Sequence, residues 1–227
     1  MRALLDTLLL EYVMKLLSYF FPSSSFRLFC CCLSTICSFY SYRLIPQDPV
    51  DPHTMWVNPF GRAFSQMRRS DLIRIDYDGN VLEGGPNKLL NRAAVLIHAA
   101  VHKARPDVNC AAHTHSLYGR TFATLGMPLP ITSQDGCAFY KDLAYYGAFE
   151  GIVHEGSEGE NIARAIGSKK AAILQNHGLL TASNSIEATV FWYVSLEKLC
   201  QTQLLAMAAA SYSGTKIVEV GDKEAAE

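Results

Sequence analysis

Two histidines stand one residue apart in the stretch "AAHTHSLYGR", which runs from Ala111 to Arg120. The small apolar residues before them predict a short buried strand over Val108–His115. Side chains two residues apart on a strand point to the same side, so His113 and His115 can direct both imidazoles to one point. The pair therefore has the spacing of two metal ligands, although two structural histidines would show the same spacing.

A third histidine follows another predicted buried strand. His177 lies in "LQNHGLL", just after the apolar run "AAIL". A catalytic zinc ion needs three protein ligands and an open position, and three imidazoles suit Zn2+ while also accepting other divalent ions. His98 and His102 form a competing pair four residues apart on a predicted helix, where a structural role is the simpler interpretation. The sequence thus favours a site made of His113, His115 and His177.

The elements around these histidines alternate between strands and helices, which favours a layered α/β domain. The turn in "DYDGN" predicts a β-hairpin over Ser70–Gly85. The longest helix is predicted over Ser185–Ala210. Its charged and amide residues fall within about 100° of the circumference, so its other faces are expected against the core or a neighbouring subunit. Further predicted elements are a helix over Asn87–Asp107 capped by Asn87, helices over Ser116–Leu125 and Glu158–Ile166, and a strand at Ile152–Val153.

The composition is that of a globular chain without a strong net charge. Its 227 residues include 20 basic and 21 acidic side chains, a net charge of −1, which argues against nucleic acid as a partner. Small molecules and other subunits are the expected partners. Seven cysteines without framework spacing predict reduced thiols and a cytoplasmic location. The longest uncharged run, Leu28–Tyr42, is shorter than the roughly 20 apolar residues of a membrane span, so no span is expected.

The first 47 residues differ in character from the rest of the chain. They are rich in Leu, Phe, Ser and Cys, and all 15 glycines lie at or after Gly61. Asp6 and Glu11 interrupt the early apolar run, which argues against a signal peptide. We interpret this segment as foreign to the fold, either a diverged N-terminus or the product of a misassigned exon boundary. The predicted organisation is an atypical segment 1–47, a folded domain 48–212 and a loose tail 213–227.

The motifs "RPDVNCAAHTHS" and "LQNHGLLT", followed by a long apolar helix, resemble those of the class II aldolase/adducin family. The resemblance extends from about Asp48 to Ala210 and includes "NPFG". It implies an α/β fold, namely a three-layer α/β/α class II aldolase-like domain with a central mixed sheet. This domain would lack its first elements if residues 1–47 are foreign. The resemblance further implies Zn2+ on His113, His115 and His177, and a homo-oligomer, commonly a tetramer, with active sites between subunits.

Two departures from the family pattern bear on the chemistry. Sugar-phosphate aldolases of the family carry a "KPSSE"-like stretch, whose serines hold phosphate and whose glutamate is the acid/base. This chain has Arg92, Ala93 and Ala94 there, and alanine cannot transfer a proton, so a phosphorylated sugar is not the expected substrate. In "ITSQDGCAFYKD", Asp135 and Tyr140 are the predicted proton-transfer residues. A capped turn with a packed aromatic ring would give the same pattern.

The family resemblance implies carbon–carbon bond cleavage, in which zinc stabilises the enediolate left when the bond breaks. The leading hypothesis is a zinc-dependent lyase that acts by retro-aldol cleavage or decarboxylation on a non-phosphorylated small carbonyl or carboxylate substrate. Asn58 and Gly61 of "NPFG", together with Gln134, are the predicted substrate-binding residues. The alternatives are a non-catalytic adducin-like interaction domain, which Ala94 favours, and an inactive truncated family member.

Overall fold

A mixed five-stranded sheet forms the centre of the fold in the computed structural model, which describes residues 42–62, 66–149 and 156–227. Its strands, in spatial order, are β1 (Tyr42–Pro46), β5 (Cys110–Thr114), β8 (Gly178–Ser183), β7 (Ala171–Leu174) and β6 (Leu143–Tyr146). Strands β6 and β7 run parallel, and the other neighbouring pairs are antiparallel. This arrangement confirms the predicted α/β class and its mixed central sheet.

A second, antiparallel sheet contains β2 (Thr54–Val57), β3 (Ile73–Asp76) and β4 (Val81–Gly84). The turn between β3 and β4 is closed by Asp76, whose carboxylate accepts hydrogen bonds from the backbone of Asp78 and from both the backbone and the side chain of Asn80. The bond from the Asn80 side chain is the main reason why the pKa of Asp76 lies below its usual value. The hairpin predicted from "DYDGN" is confirmed, with Gly79 at a positive φ in the turn.

Helices cover both faces of the main sheet. On one face lie α1 (Arg92–Ala104) and α4 (Gly156–Ile166), and on the other lie α2 (Leu117–Ala123) and α5 (Ile186–Ser213). The side chains of β7 alternate between the two faces. Ala172 and Leu174 join the core on the α1 side, while Ala171 and Ile173 join the core on the α5 side. Because all four are buried, the sheet is covered twice, as expected for the predicted three-layer α/β/α domain.

Helix α1 begins later than predicted. Its N-cap is Asn91 rather than Asn87, and the Asn91 side chain accepts a hydrogen bond from the Ala94 N–H. The preceding residues instead contact the "NPFG" loop. The Asn87 side chain donates to the Phe60 carbonyl, and the Phe60 N–H donates to the Leu89 carbonyl. The two asparagines are equivalent capping residues in the sequence, so contacts with a distant loop decide between them.

The folded domain also begins earlier than predicted. Tyr42–Pro46 belong to the segment interpreted as foreign, but they form the edge strand β1, antiparallel to β5. Ile45 is 1% exposed and packs in a core with Met55 and Ile75. The boundary after residue 47 is therefore wrong, because it separates a strand from its sheet, and the sheet does not lack this edge. Residues 1–41 lie outside the described part of the chain.

The residues after α5 are not loose throughout. A short helix, α6 (Asp222–Ala225), packs against another short helix, α3 (Gln134–Cys137). The Val220 N–H donates a hydrogen bond to the Ile131 carbonyl, and Ala225 is 5% exposed. The prediction of a loose tail over residues 213–227 is therefore wrong for these residues. A single buried alanine and one backbone hydrogen bond leave little trace in the local sequence.

Helix α5 follows the prediction at its start and extends beyond it at its end. The Ser185 side chain caps the first turn by accepting from the Ala188 N–H, and Gly214 ends the helix with a φ of 70°. Large apolar side chains lie exposed along it, namely Phe191, Leu205 and Tyr212. Among the described residues, no helix combines the length and the apolar character needed to cross a bilayer.

His102 ties the edge strand to the body of the domain. This α1 residue is buried, with Nδ1 3.2 Å from the Val108 carbonyl oxygen and Nε2 3.1 Å from the Ile45 carbonyl oxygen. A neutral ring can donate to only one of the two carbonyls at a time. Burial lowers the pKa of His102, although both carbonyls act in the opposite direction.

We expect the protein to lose stability as the pH falls from about 7.5 to about 5.5. Because the pKa of His102 is lower in the folded state, the unfolded chain binds the proton more readily. The free energy of unfolding therefore decreases as the pH falls below 6.5, the ordinary pKa of histidine. One such histidine contributes at most about 1.4 kcal/mol per pH unit. Urea unfolding across this range measures the effect, and His102→Gln should weaken the dependence. Stability that stays constant or rises on acidification would contradict the prediction.

Candidate metal centre

Three imidazoles converge where strand β5 ends and the neighbouring strand β8 begins. His113 lies near the end of β5, His115 directly after it, and His177 in the turn between β7 and β8. The ring centroids are 5.0, 4.7 and 4.7 Å apart, in edge-to-face arrangements. One ring nitrogen from each histidine lies within 4.8 Å of the other two. The structure therefore brings together the three histidines that the sequence singled out.

The orientation of His113 directs one nitrogen to this cluster. His113 Nδ1 is 2.9 Å from the Leu179 carbonyl oxygen, so Nδ1 carries the proton of the neutral ring and Nε2 keeps its lone pair. His113 Nε2 is 3.1 Å from His115 Nε2. Two nitrogens on one tetrahedral zinc ion lie about 3.3 Å apart, given zinc–nitrogen distances of about 2.0–2.1 Å. The residues present therefore fit a divalent ion such as Zn2+, including a carbonyl partner for the outer nitrogen of His113.

Burial keeps the imidazoles in the form that binds metal. His113 is 2% exposed, and burial together with the neighbouring His177 and His115 lowers its pKa well below the usual value. Burial also lowers the pKa of His177. Only a neutral imidazole offers a lone pair to a metal ion, so both residues are available as ligands at neutral pH.

A tight turn presents His177. Residues 175–177 connect β7 to β8, and Asn176 adopts a positive φ of 56°, a conformation that asparagine tolerates better than most residues. The N–H groups of the three turn residues donate, in chain order, to the carbonyls of Tyr146 in β6, Ala123 in α2 and Leu174 in β7. The position of His177 therefore depends on two strands of the sheet, β6 and β7, and on helix α2, which covers one of its faces.

The two histidine-bearing segments approach each other closely at Gly178. A Cβ atom at this position would lie closer than 3.0 Å to the Thr114 carbonyl oxygen and 3.3 Å from the Cα atom of His115. Glycine has no such atom, so β8 can pack directly against the end of β5. Gly178 thereby sets how near His177 can come to the other two histidines.

The "NPFG" loop contains a buried polar atom. Asn58 directly follows β2, is 8% exposed, and its Oδ1 makes no hydrogen bond within the described residues. A buried oxygen is costly unless a donor reaches it, which supports a polar contact at Asn58. Gly61 has a φ of 82°, and a Cβ atom there would meet nothing within 4 Å, so its conformation rather than close packing favours glycine. Substrate binding by Asn58 and Gly61 stays a prediction.

The predicted proton-transfer residues lie on and after α3, which packs against α5 and α6. Gln134 and Asp135 are exposed, and Tyr140 is half-buried, with the Lys141 Nζ atom 4.9 Å from its ring centre. The Ser133 side chain caps this helix by accepting from the Gly136 N–H, so the capped turn is present. Roles for Gln134, Asp135 and Tyr140 in binding or catalysis stay predictions.

The start of α1 lacks a proton-transfer group. This fully described helix has no acidic side chain in its first turn, and Ala94 is 6% exposed at the position where sugar-phosphate aldolases have glutamate. The competing pair on α1 has a different arrangement. His102 contacts backbone carbonyls, while His98 is buried close enough to His113 to contribute to lowering the pKa of His113. The predicted strand at Ile152–Val153 lies outside the described residues.

Two neighbours of the histidines were missed in the sequence. The Phe149 ring is half-exposed, and its centroid lies 6.3 Å from that of His177. Glu197 of α5 accepts hydrogen bonds from the residues that follow His115. The available signal for Glu197 was its carboxylate within a largely apolar helix, where it is one of the charged and amide residues that fall within about 100° of the circumference.

Fold and site together define a domain of the class II aldolase type, in which a layered α/β sheet carries three converging histidines. The chain matches the Class II Aldolase and Adducin N-terminal domain over residues 35–204, and it belongs to this family. The resemblance drawn from "RPDVNCAAHTHS" and "LQNHGLLT" is thus confirmed.

Relatives within the family carry different names. Decarboxylase NovR of Streptomyces niveus is 40% identical over 71% of this chain and 60% of its own length. The 4-hydroxy-3-prenylphenylpyruvate oxygenase/4-hydroxy-3-prenylbenzoate synthase of Streptomyces roseochromogenus subsp. oscitans is 39% identical over 71% of this chain and 58% of its own length. A solved structure of L-fuculose 1-phosphate aldolase from Glaciozyma antarctica PI12 has a TM-score of 0.75 and 43% identity, covering 86% of this chain and 74% of that one. The chain thus spans less than two thirds of the length of these two Streptomyces relatives.

Proposed function

We propose that this protein is a zinc-dependent carbon–carbon lyase that acts on a small, non-phosphorylated carbonyl or carboxylate substrate. The observation that carries the proposal is the convergence of His113, His115 and His177, with one nitrogen of each within 4.8 Å of the others. When bound there, a divalent ion supplies Lewis-acid stabilisation of negative charge on a substrate oxygen. The chain contributes neutral ligands, with His113 oriented by the Leu179 carbonyl.

Among lyase reactions, the first turn of α1 favours decarboxylation. Retro-aldol cleavage requires a base that removes the proton from the substrate hydroxyl. Ala94, at the position of the family's glutamate, cannot act as that base, which leaves only the predicted residues Asp135 and Tyr140 for the role. A substrate carboxylate on the carbon next to a carbonyl group, as in a 3-oxo acid, is already ionised. Carbon dioxide can therefore leave without that base, because the electron pair of the broken carbon–carbon bond forms a new double bond to the carbonyl carbon and the C=O pair passes to the carbonyl oxygen. Solvent can then return a proton to carbon. The name of the Streptomyces niveus relative, a decarboxylase, agrees with this preference.

The same turn argues against a phosphate ester. Arg92 and Ala93 stand where the sugar-phosphate aldolases have serines, and neither provides a hydroxyl. Half-exposed Phe149 beside His177 adds an apolar surface near the ligands. A 3-oxo acid that carries an aromatic ring is therefore a rational first substrate to test.

The proposal predicts a preference that a substrate panel can measure. Zinc-loaded protein is assayed for carbon dioxide and aldehyde release with aromatic and aliphatic 3-oxo acids, with 4-hydroxy-2-oxo acids, and with L-fuculose 1-phosphate. We expect kcat/KM for at least one non-phosphorylated acid to exceed that for the sugar phosphate by about tenfold or more, equivalent to about 1.4 kcal/mol. His115→Ala should abolish the activity. A preference for the phosphate ester would contradict the proposed substrate class.

A non-catalytic interaction domain is the second candidate, and Ala94 is the observation that favours it. The two candidates differ in what small acids do to the protein. A lyase should be stabilised against heat by one class of acid or ketone only when zinc is present, whereas an interaction domain should show no such linked shift.

We further propose that the protein is a homo-oligomer located in the cytoplasm. The exposed apolar side chains of Phe191 and Leu205 on α5 support a subunit contact, since burying them would remove apolar area from water. The three cysteines described by the structure, Cys110, Cys137 and Cys200, are free thiols, which agrees with a reducing compartment.

A further inference from the structure

Glu197 binds the chain segment that immediately follows His115. Its Oε2 atom accepts hydrogen bonds from the Ser116 hydroxyl at 2.5 Å and from the Gly119 N–H at 2.8 Å. Its Oε1 atom accepts from the Tyr118 N–H at 3.0 Å. Three donors within four consecutive residues therefore converge on one carboxylate, whose charge strengthens each bond.

This carboxylate replaces the local cap of α2. Ser116 occupies the N-cap position, but its side chain makes no capping hydrogen bond to the helix that it precedes. The Ser116 hydroxyl donates to Glu197, and Glu197 accepts from the N–H groups of Tyr118 and Gly119, the second and third residues of α2. A residue 81 positions away in the sequence thus performs the capping, which joins α2 to α5.

The joined segment has little freedom to move. Ser116 is 1% exposed, and its hydroxyl also accepts a hydrogen bond from the Thr114 side chain. A Cβ atom on Gly119 would collide with the Leu179 side chain, so the start of α2 rests directly on β8. His115 lies between Thr114 and Ser116, and both of those neighbours belong to this network. The backbone of His115 is therefore held from both sides.

We infer that Glu197 is a positioning residue for the metal centre, which fixes His115 by anchoring the segment from Ser116 to Gly119 onto α5. The inference rests on the metal site proposed above. Its action is indirect, because Glu197 contacts the neighbours of a ligand rather than the ligand ring. Metal sites depend on such supporting contacts, and losing a supporting hydrogen bond commonly weakens metal binding about 10–100-fold.

The test compares zinc affinity with the stability of the metal-free protein. Glu197→Gln keeps the shape of the side chain, but its amide NH2 group must face at least one of the three donors. We expect its zinc dissociation constant, measured by competition with a chromogenic chelator, to rise about tenfold. Ser116→Ala, which removes one donor and leaves two, should produce a smaller rise. Glu187→Gln, at an exposed position of the same helix, is the matched control and should bind zinc like the wild type.

A purely structural role for Glu197 gives a different result. In that case Glu197→Gln lowers the Tm in the presence of EDTA, while its zinc affinity at a temperature where it is folded stays within about twofold of the wild type. That outcome overturns this inference alone. A wild-type protein that binds no zinc overturns the metal proposal and this inference together. A protein that binds zinc but cleaves no substrate contradicts the lyase proposal and leaves the zinc comparison decisive for Glu197.

Discussion

Replacing His113 with alanine is expected to abolish zinc binding and turnover. His113 is buried, its Nδ1 is held by the Leu179 carbonyl, and its Nε2 faces His115 at 3.1 Å. Loss of an outer contact already weakens metal sites about 10–100-fold, so loss of a ligand should weaken zinc binding by more than about 100-fold, or about 2.7 kcal/mol. A chelator competition assay measures the affinity, and single-turnover kinetics measure the activity.

His53→Ala is the matched control for this variant, since His53 is exposed and belongs to no cluster of metal-binding groups found among the described residues. It should bind zinc with unchanged affinity. Circular dichroism at low temperature checks that His113→Ala is folded. If the folded His113→Ala protein retains the zinc affinity of the wild type, His113 is not a zinc ligand.

Replacing Gly178 with alanine is expected to lower both stability and zinc affinity. The added Cβ atom would overlap the Thr114 carbonyl oxygen and lie 3.3 Å from the Cα atom of His115, so β8 and the end of β5 must separate. Overpacking of this kind costs about 3 kcal/mol, which corresponds to a decrease in Tm of about 10 °C for a domain of this size. Because His177 precedes Gly178, the same displacement should weaken zinc binding by about tenfold or more.

Gly136→Ala provides the comparison for stability. A Cβ atom at Gly136 would meet its nearest neighbour, the Ser133 hydroxyl oxygen, at 3.4 Å, which is ordinary contact. Differential scanning fluorimetry in EDTA and in zinc should therefore show little change for Gly136→Ala and a large decrease for Gly178→Ala. Equal melting temperatures for Gly178→Ala and the wild type would contradict the close approach of the two strands.

Much of the fold could be predicted because its signals are local. The hairpin depends on "DYDGN", where Asp76, Gly79 and Asn80 close the turn among themselves. The buried strand β7 is a short apolar run, and the start of α5 is marked by Ser185, a strong N-cap residue. In each case the residues that form the structure are neighbours in the sequence.

The errors occurred where distant contacts decide. Strand β1 lies in a stretch of unusual composition, and its place in the sheet depends on pairing with β5, more than sixty residues later. The N-cap of α1 is Asn91 rather than the predicted Asn87, because the Asn87 side chain is hydrogen-bonded to the "NPFG" loop. Helix α6, near the end of the chain, packs against α3, and no local sequence pattern predicts this contact.

In the candidate site, too, local sequence patterns could be predicted and contacts between distant residues could not. The spacing of His113 and His115 on a strand, and the placement of His177 after another strand, are local patterns that predicted the cluster. The contribution of Glu197 was missed because helical periodicity only placed it in a polar sector of its helix. Its partners, the residues from Ser116 to Gly119, lie at the start of α2, about eighty residues earlier in the sequence. Periodicity identifies which face of a helix is polar, but it does not identify what that face contacts.

The metal content of the purified protein tests the central claim most directly. Wild-type protein and His113→Ala are prepared in parallel, dialysed against metal-free buffer, and analysed by inductively coupled plasma mass spectrometry. We predict about one zinc ion per wild-type chain, as expected for one site with three histidine ligands, and zinc at background in His113→Ala. Zinc at background in the wild type, with no uptake when zinc or another divalent ion is supplied, would contradict the account.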